Sequence, residues 1–372
     1  MHLLREGFHE KLFLFTDEQD QLIVRKQAKS AEQGMLAAEI AWLEELPSTM
    51  QPYFPRVLRS SRGDGDTHAP SYDMPYYDQE WVPLSELILL ETCSRPVGLK
   101  LIAQVMRVMF SGIFPTTYPR EAAAYPDQMI HLLEQCAQQI TAMPVFTPLM
   151  RADRLALNGE KQWNVLPLLE FLKSREEART ALRPAAMRKV HGDLYPENVL
   201  VYLPSLRWRT PRVMLIDPVA AIGLTRGDFA MDVAKFRSWL SAELLALRLG
   251  FFSIETQWDN GPAFELSLHT DEPQLSALSD GKVLREFSGL LETAPWARAV
   301  CDADPNWWAR VSFYESLYAL SMVPLVPSWQ SMGRFLVGVQ HLNNFVATLN
   351  VSPSSTVHQE AEHPGTVQPP NY

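Results

Sequence analysis

The stretch that most constrains this chain is Val190-His191-Gly192-Asp193-Leu194-Tyr195-Pro196-Glu197-Asn198-Val199-Leu200, followed by the apolar run Val213-Met214-Leu215-Ile216 that ends on Asp217. It brings a carboxylate, an amide five residues on, and a second carboxylate at a strand end into one neighbourhood. That is the equipment for orienting a hydroxyl and holding magnesium on a nucleotide triphosphate. Asp193 is the candidate for the group that orients the hydroxyl and takes up its proton. Asn198 and Asp217 offer oxygen ligands of the kind a hard cation takes. Taken singly, a loop Asp, a turn Asn and a strand-end Asp are common structural residues. At this spacing they read as a site.

Length and charge narrow the context. With 372 residues, 47% of them hydrophobic, the chain can bury a large core, and the length suits two lobes. A net charge of -10 argues against nucleic acid as the main partner and leaves room for a cationic small molecule. Cys93, Cys136 and Cys301 are widely spaced, which speaks against a disulfide framework or a thiolate zinc site and for a reducing compartment. The first seven residues lack the apolar core of a signal peptide, and no apolar run is expected to reach the roughly 18 to 20 residues that span a bilayer. The expectation is a cytoplasmic protein with no membrane association and no inferable protein partner.

Along the chain, residues 1 to about 80 read as strands plus one helix. Lys11–Phe15 and Gln21–Lys26 are apolar-aromatic runs joined by a polar turn, the pattern of two antiparallel strands. Ala31 to Leu46 carries Leu36, Ile40 and Leu43 on one face and stops before Pro47, which predicts a helix. Further strand candidates are Arg56–Leu58 and the segment Ser71–Tyr77, separated by a loop at Ser60–Asp66. Residues 72 to about 80 then form the connector to a second lobe, 81–350. There helical periodicity dominates, with helices predicted around 99–113, 129–143, 165–182, 232–251, 307–322 and 332–349. The polar stretch 351–372 reads as a disordered tail.

A strand-rich lobe also has to supply a cation for the upstream phosphates. Lys26 ends an apolar strand, and Glu39 lies thirteen residues later on the following helix. Such a pair would let Lys26 grip the phosphates while Glu39 holds it in place. Arg25 is the rival, because strand alternation turns only one of the two inward. Gly7, with the amides of Phe8 and His9, is the candidate phosphate-covering turn, and Met74 and Tyr76 of the connector are candidate nucleotide contacts.

His191–Leu200, Leu215-Ile216-Asp217-Pro218 and Gly227-Asp228-Phe229-Ala230-Met231-Asp232-Val233-Ala234 together resemble the aminoglycoside phosphotransferase and choline kinase-like families of the protein-kinase-like superfamily. The resemblance is strong over 189–236 and extends in layout over residues 1 to about 350. It implies an α+β two-lobe fold: a small antiparallel-sheet lobe with one main helix, and a large, mainly helical lobe. It further implies ATP and Mg2+ as cofactors and a small hydroxylated acceptor, aminoglycoside-like or an amino-alcohol or sugar metabolite. His191 would pack under and shape the catalytic loop, and Asp232 would brace it.

Two departures from protein kinases matter. Position 192 is Gly where they carry Arg, and only about ten residues separate Asp217 from Gly227. A protein substrate is therefore disfavoured. The segment Tyr202–Arg212 looks like a lengthened hairpin turn, with no function to assign. Two other classes stay open: a non-catalytic nucleotide-binding scaffold on the same fold, and a metal-dependent hydrolase using His191, Asp193 and Asp217. Acidic residues Asp259, Glu265, Asp271, Glu272 and Asp280, or the tryptophans Trp258, Trp296, Trp307 and Trp308, could line the acceptor pocket.

Overall fold

The computed structural model of the protein describes residues 2–7, 10–29, 33–63, 69–219, 224–257 and 261–349. The alternating residues near the N-terminus build an antiparallel sheet from β1 (His2–Glu6), β2 (Glu10–Thr16), β3 (Leu22–Ala28), β4 (Arg59–Ser61) and β5 (Ser71–Pro75), in the order β1-β2-β3-β5-β4. Asp17 makes the β2–β3 turn, accepting from the backbone N–H groups of Gln19 and Gln21 at 2.8 and 2.9 Å. α1 (Gln33–Glu44) lies within the predicted bounds and packs on β3 and β5, burying Leu36, Ile40 and Leu43.

Three details differ from expectation. β1 was not foreseen, and all its residues are exposed. The strand expected at Arg56–Leu58 lies at Arg59–Ser61, an exposed edge held by ladder hydrogen bonds with no apolar face to mark it. The connector expected from residue 72 begins as β5, paired in register with β3, so the chain leaves the sheet only at Tyr76.

β6 (Trp81–Pro83) and α2 (Leu84–Leu89) open the second lobe, followed by α3 (Arg95–Val108) and a π-turn at Met109–Ile113. Contrary to expectation, Arg95–Ile113 is long and apolar enough to cross a membrane, with 19 residues of mean hydropathy 1.2. Its apolar side is built into the core through Leu101, Ile102, Val105 and Met106. Next come β7 (Thr117–Tyr118), α4 (Tyr125–Thr141), α5 (Thr147–Met150), β8 (Arg154–Leu157) and β9 (Glu160–Trp163). The helix predicted over 165–182 is two, α6 (Val165–Ser174) and α7 (Glu176–Leu182), because Arg175 is extended (φ -109°, ψ 118°).

The motif region is built on β10 (Met187–Lys189), β11 (Val199–Tyr202), β12 (Val213–Leu215) and β13 (Arg226–Gly227), in two three-stranded sheets ordered β13-β10-β7 and β12-β11-β6. Residues 203–212 do form the turn between paired β11 and β12. The predicted helix 232–251 starts earlier and breaks. α8 (Phe229–Leu240) is capped by Asp228, which accepts from Ala230 N–H at 3.1 Å, and α9 (Glu243–Leu249) follows Ala242 at φ 63°. β14 (Phe252–Gln257) and β15 (Ala263–Leu268) add a sheet ordered β14-β15-β8-β9 to a region read as helical. The chain closes with α10 (Ser276–Ser279), α11 (Lys282–Thr293), α12 (Pro295–Cys301), α13 (Trp307–Met322) and α14 (Ser328–Ala347). α13 is buried on most sides, packed against α14 and α8. The tail read at 351–372 lies outside the described residues. The fold is α+β, a small sheet lobe joined to a large helical one.

Candidate active site

The inner face of the first sheet is set by register. Val24, Lys26 and Ala28 alternate inward on β3, and Lys26 stands opposite Leu12 of β2 and Tyr72 of β5. Arg25 points the other way and makes a bidentate pair with Asp73 at 2.7 and 2.8 Å. Lys26 is therefore the inward cation. Its Nζ donates to Glu39 Oε1 and Oε2 at 3.0 and 2.8 Å and to Asp217 Oδ1 at 2.9 Å. Tyr72 completes the cluster by donating to Glu39 Oε1 at 2.8 Å.

Burial disfavours charge throughout this cluster, and its members answer differently. Burial opposes the Lys26 ammonium, but Asp217 and Glu39 hold it protonated well above the ordinary lysine range. Burial and the neighbouring Asp217 push Glu39 up to about 7 against the pull of Lys26. Burial also opposes ionised Asp217, yet Lys26, with Arg5 and His191 behind it, holds that carboxyl below the usual range. We take the ion pair of Lys26 with Asp217 as fully charged, with Glu39 the carboxylate that titrates, because two carboxylates share one ammonium. Asp217 is also a non-glycine residue with φ 56°, an uncommon conformation held here by its partners.

The catalytic-loop candidates sit on β11 and the turn before it. Asn198 Nδ2 donates to Asp193 O and Oδ2, both at 3.0 Å. Ile216 N–H donates to Asn198 O at 2.9 Å, so the β11–β12 pairing carries Asp217 beside the loop. Asp232 braces the loop from α8: its Oδ2 and Oδ1 accept from His191 and Gly192 N–H at 2.7 and 2.8 Å. Burial drives the Asp232 carboxyl up to about 7 despite those two donors. His191 is fully buried beside Trp42 and Phe54, and burial holds its pKa down at about 4. The neutral ring accepts from Asp193 N–H through Nδ1 at 3.3 Å. Gly192 has φ 81°, and a Cβ there would stand 3.2 Å from Leu224 O. No side chain, arginine included, is accommodated at 192 without strain.

One contact was not foreseen. Lys235, on α8 one turn past Asp232, donates to Asp193 Oδ1 at 2.9 Å and lies over the rings of Tyr195 and Tyr318. The signal for it was indirect: Leu194–Asn198 contains no cation to answer Asp193, and Asp232 and Lys235 share a helix face.

The remaining predicted residues are placed as follows. Gly7 closes the β1–β2 hairpin, its N–H donating to Glu10 O at 2.8 Å, while Phe8 and His9 lie outside the described residues. Met74 stands beside Val24 on the inner sheet face; Tyr76 is exposed just beyond β5. Glu265, Asp271 and Asp280 are exposed, and Asp280 pairs with Arg95 at 3.0 Å. Trp307 is buried against Phe229 and Trp296 packs on Phe110; Trp258 and Asp259 fall outside the described residues. Among the described residues, no three His, Cys, Asp or Glu side chains form a ligand cluster.

No protein-family model and no curated protein sequence matches the chain. Solved structures that resemble it include a choline kinase from Cryptosporidium parvum Iowa II (10% identity, 93% of this chain and 89% of that one, TM-score 0.46). A glucosamine kinase (10%, 90% and 91%, TM-score 0.44) and a macrolide 2'-phosphotransferase from Brachybacterium faecium (12%, 88% and 91%, TM-score 0.36) are also similar.

Proposed function

We propose that the protein is an ATP-dependent phosphotransferase acting on a hydroxyl of a small molecule. The observation that carries this reading is the meeting of Lys26, Glu39 and Asp217 at 2.8–3.0 Å, with Asp217 joined to the loop of Asp193 and Asn198 through the Ile216–Asn198 backbone bond. The residues suit a magnesium nucleotide: Asp217 and Asn198 supply hard oxygen donors, and the surplus carboxylate beside Lys26 leaves a negative charge for a cation to balance. When bound with the nucleotide, magnesium neutralises charge on the phosphates.

Lys26 would hold the upstream phosphates, with Glu39 and Tyr72 keeping the ammonium in place and Asp217 among the residues that would hold magnesium. Asp193 would accept a hydrogen bond from the acceptor hydroxyl and take its proton as that oxygen bonds to the γ-phosphorus. The bond from phosphorus to the β–γ bridging oxygen breaks, and its electron pair leaves with ADP. Lys235, 2.9 Å from Asp193 Oδ1, would hold that carboxylate in orientation. The work is positioning and charge balance, so the rigidity of these contacts is the catalytic asset.

The test is phosphate transfer. Protein with Mg2+ and ATP is incubated with a panel of hydroxylated amines, sugars and acids, and phosphorylated acceptor is detected by mass. Transfer to at least one acceptor, lost in Asp193→Asn with nucleotide binding retained, is expected. Nucleotide binding without transfer to any acceptor, and a cellular role untouched by Asp193→Asn, would instead favour the scaffold reading.

A further inference from the structure

One side chain removed from Asp193, the helical lobe holds a narrow cavity of about 40 Å³, walled by Lys235 of α8, Glu243 of α9, Glu315 and Tyr318 of α13, and Arg334 of α14. At roughly 10–15 Å³ for a water, the space holds about three waters, or one small polar group such as a carboxylate, and is too tight for a sugar ring. The cavity reaches the catalytic loop through Lys235, whose ammonium bonds Asp193.

Counted with Asp193, Arg237 and His341, which contact its lining residues, the wall carries one positive charge over. Glu315 is held by Arg237, whose Nη1 lies 2.7 Å from Oε2. Glu243 meets His341 Nε2 at 2.8 Å. Burial opposes charge on that imidazole, but Glu243 and then Glu315 raise it to about 9, so it is an imidazolium at neutral pH. Each wall carboxylate thus has its own cation, and Lys235 has Asp193. Arg334 has none. It is 4% exposed, its Nε is buried without a hydrogen-bond partner, and no carboxylate lies within ion-pair distance of it among the described residues. A buried guanidinium without an anion is costly, and the cost is relieved only when an acid arrives. The single spare positive charge matches a monoanion, and the planar guanidinium fork matches a carboxylate.

Resting on the phosphotransferase reading, the geometry points to an acceptor that carries a carboxylate: Arg334 binds the acid group in this cavity while a hydroxyl of the same small molecule faces Asp193. The acceptor is then a hydroxy acid or hydroxy amino acid, in contrast to the cationic acceptor that the acidic composition suggested. Glu265, Asp271, Glu272 and Asp280 do not line this cavity.

The experiment is a calorimetric titration of protein saturated with a non-hydrolysable ATP analogue and Mg2+. The probes are hydroxy acids of three to six carbons, their matched polyols, amino alcohols and glycerol phosphate. At least one hydroxy acid should bind ten-fold or more tightly than its matched polyol. Arg334→Gln should abolish that preference and Arg334→Lys should restore part of it, with the nucleotide affinity and thermal midpoint of both variants near wild type. In turnover, Arg334→Gln should raise KM for the acid at least ten-fold and change kcat less than three-fold. Equal binding of acids and polyols, tighter binding of amino alcohols or glycerol phosphate, or an acid preference that survives Arg334→Gln overturns the assignment. Loss of nucleotide binding in the wild-type protein would instead overturn the phosphotransferase reading beneath it.

Discussion

The two clusters flanking the catalytic loop, one at its sheet end and one at its helical end, carry opposite surpluses of charge. At the sheet end, Glu39 and Asp217 share the single ammonium of Lys26, which leaves over one carboxyl, that of Glu39, pushed up to about 7 by burial and Asp217. At the helical end, Asp193, Glu243 and Glu315 each have a cation and Arg334 is one positive charge over. The first end asks for a cation and the second for an acid. A site is thus better read from the charges its own residues leave unbalanced than from the net charge of the chain, which is -10 and would favour cations at both ends.

The largest expected effect is at Asp193, where the two ends meet. Asp193→Asn should lower kcat by about 100- to 10,000-fold, the range for a positioned proton acceptor, with Mg·ATP affinity within about two-fold of wild type. A coupled ADP assay measures it, and unchanged turnover would break the link between the two ends.

Next in size is a contrast within the sheet end. Lys26→Met strands two carboxylates, one of them buried, and should cost about 3–5 kcal/mol in urea unfolding. Asp217→Asn removes the surplus charge, so its unfolding midpoint should be no lower than wild type although activity is lost. Equal destabilisation by both changes would mean the cluster has no surplus.

A third test uses pH and the pair beneath the loop. Asp232 is raised to about 7 from an ordinary 3.8, so its contribution is present at low pH and is lost as pH climbs from about 4 to 7. His191 is depressed to about 4 from 6.5, so its contribution is present above 6.5 and is lost as pH falls towards 4. The two oppose each other over the same window. Relative to wild type, Asp232→Asn should make stability rise more steeply with pH there, and His191→Gln should make it fall. Each change in slope is at most about 1.4 kcal/mol per pH unit. Parallel curves for all three proteins would contradict the assigned protonation states.

The smallest effect concerns how the ends are joined. Trp42 Nε1, on the helix that carries Glu39, donates to Val190 O at 2.8 Å, and Lys189 Nζ returns a hydrogen bond to Trp42 O at 3.0 Å. Trp42→Phe keeps the ring and deletes one donor, which should cost about 1 kcal/mol by chemical denaturation. No loss of stability would show that α1 is fixed to the loop by packing alone.

What was legible in the sequence was whatever a local pattern encodes. The β2–β3 hairpin, α1 and the convergence of 193, 198 and 217 follow from periodicity and short-range spacing. The choice between Arg25 and Lys26 did not, because alternation fixes only that they face apart; Glu39 and Tyr72 on one face and Asp73 on the other decide it. Lys235 lies forty-two residues from its partner Asp193 and looks like any helix lysine, so only the tertiary fold reveals it. Arg334 was hidden in the apolar run Met332–Val339, where a lone buried arginine was the available signal. β14 and β15 do alternate, but they are short and lie among stronger helical patterns.

The most direct test of the central claim is the magnesium dependence of ATP binding, measured by calorimetry on wild-type protein and Asp217→Asn. The account predicts that Mg2+ tightens nucleotide binding at least ten-fold in the wild type and leaves it unchanged in Asp217→Asn. Identical magnesium dependence in the two proteins would contradict it.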